Sequence, residues 1–152
     1  MSEAIGQAEH EADRATATDR VAYLLGAVGS VVVLVLARVI TPSSTGMGTH
    51  ERLGLPPCTF WVVTGHGCPG CGLTTSVSHM AHGDVVAAFL ANPMGIVFFV
   101  LFVVGGSLSW VRLFRPRPLD DVLFTTTVQV VAVGLAVGLF GTWLVRMLLG
   151  QV

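Results

Sequence analysis

Three long apolar stretches dominate the pattern of hydrophobic and polar positions along the chain. They predict transmembrane helices over residues 21–40, 94–114 and 122–146. Each stretch is long enough to cross a hydrocarbon core of about 30 Å at a rise of about 1.5 Å per residue. The predicted fold class is therefore all-α and integral to a membrane.

The remaining segments are polar or mixed. Residues 1–20 intersperse acidic and basic side chains with Ala and Thr, and this composition predicts a disordered tail. Residues 41–93 predict a cysteine-bearing loop followed by an interfacial amphipathic helix. That helix is expected to begin at Thr74 or Thr75 and to run to about Ala91, where Asn92 and Pro93 interrupt it. Its solvated face is expected to carry Thr75, Ser78, His79 and His82.

The amino-acid composition supports a membrane protein and limits the kinds of molecule that the protein is expected to bind. Hydrophobic residues make up 53% of the chain and charged residues 11%, which is outside the balance of soluble domains. The net charge of -1, without clustered basic residues, argues against nucleic acid as a partner. The expected partners are the lipid bilayer and either other membrane helices or a second copy of the chain. Pairs of small residues that permit close helix packing are Gly26 with Ser30, Gly105 with Ser109, and Gly134 with Gly138.

The basic residues also predict an orientation in the cell membrane. All eight are Arg, a usage typical of GC-rich bacterial genomes. An excess of positive charge marks the cytoplasmic side of short loops, so five arginines against three place the N-terminus inside and the cysteine segment outside. The cytoplasmic group is Arg14, Arg20, Arg112, Arg115 and Arg117, and the outer group is Arg38, Arg52 and Arg146.

The chemically distinctive feature is a group of three cysteines, all within residues 58–71. Cys68 and Cys71 form a C-x-x-C, a spacing that allows either a small disulfide or chelation of one tetrahedral metal. Cys58 has enough intervening chain to return to them, so we expect the three to act as one unit. The helix expected after Cys71 would favour a thiolate there through its dipole.

A metal site would need further ligands, and zinc is the metal that such a set suggests. His66 and His82 are the candidates for a fourth ligand beside Cys58, Cys68 and Cys71. His79 with His82 would also complete a C-x2-C-x7-H-x2-H set, although its loop is shorter than in common zinc fingers. The alternatives are that the thiols pack as small hydrophobes and that the histidines are merely solvated.

The cysteine segment resembles a bacterial membrane-protein family known as domain of unknown function 2752. The resemblance covers about residues 55–95 and rests on motif pieces that occur in order. It implies a membrane location and a shared motif, and it implies no known activity. The family has Arg where this chain has Thr75, so no cation is supplied at that position. The motif residues are Cys58, Gly65, Cys68, Pro69, Cys71, Gly72, Thr74, Gly83, Asp84, Asn92 and Pro93.

Two functions fit these features. The first is a structural knuckle, held by a metal or a disulfide, that serves assembly or partner binding. The alternative is a membrane thiol-disulfide oxidoreductase with Cys68 or Cys71 as nucleophile, Cys58 as resolving thiol and a quinone as cofactor. A transporter or channel is disfavoured because the spans carry no ionisable residue at depth. Whether the protein is an enzyme stays open at this stage.

Overall fold

The computed structural model describes residues 17–115, 117–118 and 125–150, and within these ranges all regular structure is helical. Six α-helices and one 3-10 helix follow one another within the described residues. They are α1 (Ala17–Val39), the 3-10 helix (Thr49–Leu53), α2 (Thr59–Thr64), α3 (Leu73–Ala81), α4 (Val85–Ala91), α5 (Pro93–Phe114) and α6 (Thr126–Leu148).

Three of these helices, α1, α5 and α6, are long and apolar enough to cross a membrane. This confirms the all-α membrane fold expected from the sequence. Helix α1 begins at Ala17, so residues 17–20 of the expected tail form its first turn, where Asp19 lies favourably for the helix dipole. Residues 1–16 of that tail, and residues 122–124 of the expected third span, lie outside the described residues.

Helices α1 and α5 form the best-packed pair of spans, and small residues bring them together. A Cβ atom on Gly26 would lie 3.0 Å from the Ser109 Oγ, and a Cβ atom on Gly106 would lie 2.6 Å from the Ser30 Cβ. Thus Gly26, Ser30 and Ser109 pack as expected, within one chain. Their fourth partner is Gly106, whereas Gly105 has open space around it.

Helix α6 attaches to the rest of the chain along one narrow stripe. The half-buried positions recur at helical spacing, and the other described side chains of this helix are exposed. Gly138 lies on this stripe, where an added Cβ atom would meet the Met94 side chain of α5 at 3.0 Å. The stripe consists of Leu135, Gly138, Leu139, Thr142, Trp143 and Arg146.

The single helix expected from Thr74 or Thr75 to Ala91 is wrong, because the chain forms two helices there. Helix α3 starts at Leu73, and Gly83 interrupts the run with a φ of 84° that disfavours other residues. Asp84 then begins α4, where its Oδ1 accepts the Ala87 N–H at 2.9 Å as an N-cap. The break at Asn92 is confirmed, since its extended backbone separates α4 from α5.

The expected solvated face of this helix is also wrong in part, because its hydroxyl residues are buried. The Thr75 hydroxyl lies 2.8 Å from that of Thr49, and the Ser78 Oγ lies within 2.9 Å of the carbonyl oxygens of Ala37 and Ile40. These carbonyls are at the end of α1, where a helix leaves acceptors without intrahelical donors. Ser78 therefore caps α1, while His82 remains exposed and His79 half-buried.

Long-range hydrogen bonds show which ends of the spans lie together. The Tyr23 hydroxyl, near the start of α1, donates to the Arg117 carbonyl after α5. At the other end of the bundle, the Trp143 indole of α6 donates to the Gly67 carbonyl in the cysteine segment. The N-terminal end of α1 and the α5–α6 connection thus share one side, and the cysteine segment and the end of α6 share the other.

Replacing Gly106 with Ala should weaken the α1–α5 packing. The new Cβ atom would lie 2.6 Å from the Ser30 Cβ, and such overpacking costs about 1–3 kcal/mol of unfolding free energy. Gly105→Ala is the matched control, because it adds the same methyl group, with the same gain in helix propensity, into open space. Unfolding in mixed micelles measures both, and equal stability of the two variants would contradict this packing.

Candidate functional site

The three cysteine sulfurs meet at the start of α3. Cys58 directly precedes α2, while Cys68 and Cys71 lie in the turn that leads into α3. The three Sγ atoms lie within 4.8 Å of one another. The Cys71 thiol is placed to donate to the Cys68 Sγ at 3.3 Å, and the Cys68 N–H donates to the Cys71 Sγ at 3.1 Å. The expected three-cysteine unit therefore exists as a geometric cluster.

Helix α2 brings Cys58 back to the other two cysteines, and sequence reasoning missed it. The segment was expected to be part of a loop, but the residues after Cys58 form a short helix that ends at Gly65. The signal for it was the apolar run Phe60–Val63, which is too short to distinguish a helix from a strand. Its side chains are exposed, so its stability depends on its surroundings.

Gly72 shows why a glycine follows the second cysteine of the C-x-x-C. Its φ is 83°, a conformation that side chains rarely adopt, and its residue position directly precedes α3. A Cβ atom there would also collide with the Ala91 carbonyl oxygen at the end of α4. The backbone of the cysteine turn thus lies directly against the α4–α5 junction.

Asn92 joins that junction to the cysteine turn. Its side chain is 1% exposed, and its Nδ2 donates to the Cys71 carbonyl oxygen at 3.1 Å. Its Oδ1 accepts the Met94 N–H at 3.0 Å, which caps α5, while Pro93 occupies the first helical position, where no N–H is needed. The buried Asn92 amide therefore links the cysteine turn to the start of α5.

Helix α6 supplies two further residues, Trp143 and Arg146, that no sequence motif had singled out. The Trp143 Nε1 donates to the Gly67 carbonyl at 2.8 Å, and its ring meets that of Phe60 edge-on at a centroid distance of 6.4 Å. The Arg146 Nη1 donates to the Cys71 carbonyl at 3.4 Å. Their i, i+3 spacing puts both on one face, but only the fold shows that this face meets the cysteines.

A cavity of about 900 Å³ opens beside the cysteines, and all three line it. Trp61 of α2 and the exposed motif residue Thr74 also line this space. The 3-10 helix contributes the polar side chains His50, Glu51 and Arg52, which no sequence motif had singled out. The three cysteines thus share a cavity with polar side chains of the 3-10 helix.

The histidines expected as ligands make other contacts. The His66 Nδ1 lies 2.8 Å from the Thr64 carbonyl oxygen, and the His82 Nδ1 lies 2.8 Å from the Ser78 carbonyl oxygen. His79 faces Asp84 at 3.9 Å between its Nδ1 and the carboxylate Oδ2. Among the described residues, the clustered ligand atoms are those of the three cysteines.

The environments of two thiols push their pKa values apart. The Trp61 N–H, followed by the other two thiols, stabilises the Cys58 thiolate and lowers its pKa to about 7. Burial raises the pKa of Cys71 to about 12. A thiolate at Cys71, which the helix dipole was expected to favour, is thus disfavoured by the burial of this side chain.

In the presence of a metal chelator, Cys58 should be alkylated with a midpoint near pH 7, because the thiolate is the reactive form. Alkylation of Cys71 should remain slow up to pH 9, since the pKa of its thiol is raised. Cys71→Ala should slow alkylation of Cys58 at pH 7, because it removes a donor to the thiolate. Mass spectrometry of timed iodoacetamide reactions measures each site, and faster labelling of Cys71 than of Cys58 would contradict this assignment.

Comparison with known proteins agrees with this motif. Neither a curated protein nor a solved structure matches the chain. Residues 58–106 match the model of a family described as a protein of unknown function, DUF2752. The match runs from Cys58 through the cysteine turn and Asn92 into α5, and it confirms the resemblance found in the sequence. The segment that forms this three-cysteine site is therefore similar to the DUF2752 family over residues 58–106.

Proposed function

We propose that Cys58, Cys68 and Cys71 bind one thiophilic metal ion of the zinc type, and that this knuckle organises the membrane helices around it. The observation that carries the proposal is the mutual approach of the three Sγ atoms to within 4.8 Å. Sulfurs bound to one tetrahedral zinc at about 2.3 Å lie roughly 3.8 Å apart, so only small movements would be needed.

A shared ion uses all three thiols, whereas one disulfide would leave the third thiol out. The apolar burial of Cys71 disfavours its ionisation, and a divalent cation reverses that effect because it stabilises each bound thiolate. The cavity gives an ion access to the sulfurs. The geometry thus favours a metal over a disulfide, two alternatives that the sequence left open.

The role proposed for the knuckle is assembly. It ties α2 to the start of α3, and the carbonyl of Cys71 accepts hydrogen bonds from Asn92 at the head of α5 and Arg146 of α6. Fixing this turn therefore fixes the ends of two membrane helices, which have little hydrophobic drive to associate within lipid.

Metal analysis with thiol counting on the detergent-purified protein tests the proposal. We expect one zinc per chain and protected thiols that become titratable after chelation. Cys58→Ser, Cys68→Ser and Cys71→Ser should each lower the metal content by at least tenfold and lower thermal stability. Thr59→Ser is the matched control, because it alters the exposed neighbour of Cys58 and leaves the sulfurs intact.

Three freely titratable thiols in protein supplied with zinc would overturn the proposal. A Cys58→Ser variant that bound as much metal as the Thr59→Ser control would reduce the site to Cys68 and Cys71.

A second function, thiol-disulfide exchange, is favoured by the lowered pKa of Cys58, whose thiol lines the cavity. The site would start as a Cys58–Cys68 disulfide, and Cys58 rather than Cys68 or Cys71, which the sequence suggested, would form the mixed disulfide. A substrate thiolate would attack the Cys58 sulfur and release the Cys68 thiolate, which takes up a proton. The second substrate thiolate would then attack the substrate sulfur of the mixed disulfide and release the Cys58 thiolate. The substrate loses two electrons and two protons and becomes a disulfide, and Cys58 and Cys68 return to their reduced form.

An apolar crevice of about 370 Å³ supports a quinone in this second function, as the acceptor that takes two electrons and two protons from Cys58 and Cys68 and restores their disulfide. It lies between α1, α3 and α5, and His50 and Thr74 line both this crevice and the cysteine cavity. Zinc should inhibit exchange here, whereas the knuckle needs zinc for stability. Thermal stability with and without zinc therefore separates the two functions.

The orientation follows as a related proposal, with the cysteine knuckle on the outer side of the cell membrane. The excess of arginines on the predicted cytoplasmic side supports it. The hydrogen bond between Tyr23 and Arg117 places the N-terminal end of α1 and the α5–α6 connection on the same side, as the count of arginines assumes. A membrane-impermeant maleimide should label Ser44→Cys in intact cells and should label Pro118→Cys only after lysis. The wild-type signal is the baseline, and the opposite pattern would reverse the orientation.

A further inference from the structure

We propose that Arg146 compensates the charge of the metal-loaded cysteine site, so that metal binding and docking of the end of α6 stabilise each other. This inference rests on the proposed metal knuckle. It assigns to the third span a function at a site whose nearest ligand in the sequence, Cys71, is 75 residues away from Arg146.

Charge balance is the first argument. Three thiolates with one divalent cation carry a net charge of -1, and one of the three, Cys71, is buried. A net charge at such a partly buried site is costly unless an opposite charge lies nearby. The Arg146 guanidinium reaches the backbone of the ligand Cys71, with its Nη1 3.4 Å from the carbonyl oxygen. It is also half-buried, so water screens its field less than that of an exposed Arg.

The way in which Arg146 is held is the second argument. Trp143, one turn earlier on the same face, is fixed by its hydrogen bond to Gly67 and by its edge-on contact with Phe60. Gly67 immediately precedes Cys68, and Phe60 lies two residues after Cys58. The end of α6 is thus bound to both sides of the cysteine cluster, and Arg146 is placed there by more than its own flexible side chain.

The third argument is that α6 has few other contacts, so that metal binding should have a measurable effect on how its end docks. No residue in the most apolar stretch of α6 is fully buried against the other described helices. The contacts at the end of α6 therefore contribute much of what holds it to them. Any free energy by which docked Arg146 favours the metal must equally favour docking when the metal binds. Arg146 is therefore a positioning residue with a charge-dependent effect and is not itself a ligand.

Titration of the whole protein in nanodiscs with Zn²⁺ alone, in competition with a chelator, tests the inference. Arg146→Gln keeps a hydrogen-bond donor but removes the charge, and it should weaken zinc binding 10- to 100-fold, as changes around metal ligands commonly do. Arg146→Lys keeps the charge and should stay within a few-fold of wild type. Arg112→Gln is the matched control, because Arg112 also lies half-buried in the last turn of a span, α5.

The reverse direction of the coupling has its own measurement. Zinc should slow amide hydrogen exchange over residues 143–148 in wild type and in Arg146→Lys, and it should slow it less in Arg146→Gln. Exchange over α1 reports folding of each variant, and Arg146→Lys keeps the test decisive if Arg146→Gln fails to fold. In that case, zinc binding by Arg146→Lys weakened tenfold or more would overturn the inference.

The outcomes separate this inference from the proposed knuckle. Zinc binding of equal affinity in wild type and Arg146→Gln would overturn the role of Arg146 and leave the knuckle intact. Equal loss of affinity in Arg146→Gln and Arg146→Lys would overturn charge compensation, because hydrogen-bond geometry alone would then matter. A wild-type protein that binds no zinc would overturn both.

Discussion

The carbonyl oxygen of Cys71 is the acceptor on which the rest of the structure depends. It receives the Asn92 amide from the α4–α5 junction and the Arg146 guanidinium from α6. A buried carbonyl needs a donor, and two donors from separate spans satisfy the two lone pairs of this one. The cysteine turn therefore cannot shift without disturbing both membrane helices.

This constraint explains why a short motif can organise a protein with a small interior. Few side chains are buried within the chain, because the bilayer covers most of the apolar surface of the spans. In such a protein, buried hydroxyl and amide groups specify the arrangement, since they leave few alternatives for their hydrogen bonds. Ser78, Thr75 and Asn92 have this role on the side of the membrane that carries the cysteines.

The sequence predicted what depends on local pattern. The three spans, the break at Asn92 and the C-x-x-C follow from hydrophobic length, proline chemistry and residue spacing. It did not predict the division between α3 and α4, because the Gly83 turn acts within an otherwise helical pattern. The burial of Thr75 and Ser78 was missed for another reason. A hydroxyl face looks solvated unless the acceptors at the end of α1 are known to lie against it.

The candidate site was predictable in its ligands but not in its surroundings. The cysteines fall close together in the chain, while His50, Trp143 and Arg146 reach the site only through the packing of separate elements. Thr75 stands where the family resemblance implies an Arg, so that position supplies no cation. The fold places one beside Cys71 from α6, at a distance along the chain that no local motif could reveal.

The late position of Trp143 and Arg146 also orders the biogenesis of the site. Synthesis proceeds from the N-terminus, so the cysteines emerge from the ribosome well before the residues of α6 that contact them. During that interval the turn has its Asn92 contact in reach but no guanidinium against Cys71. The nascent chain thus passes through a stage in which the thiols are present and their enclosure is incomplete, and insertion of the last span ends that stage.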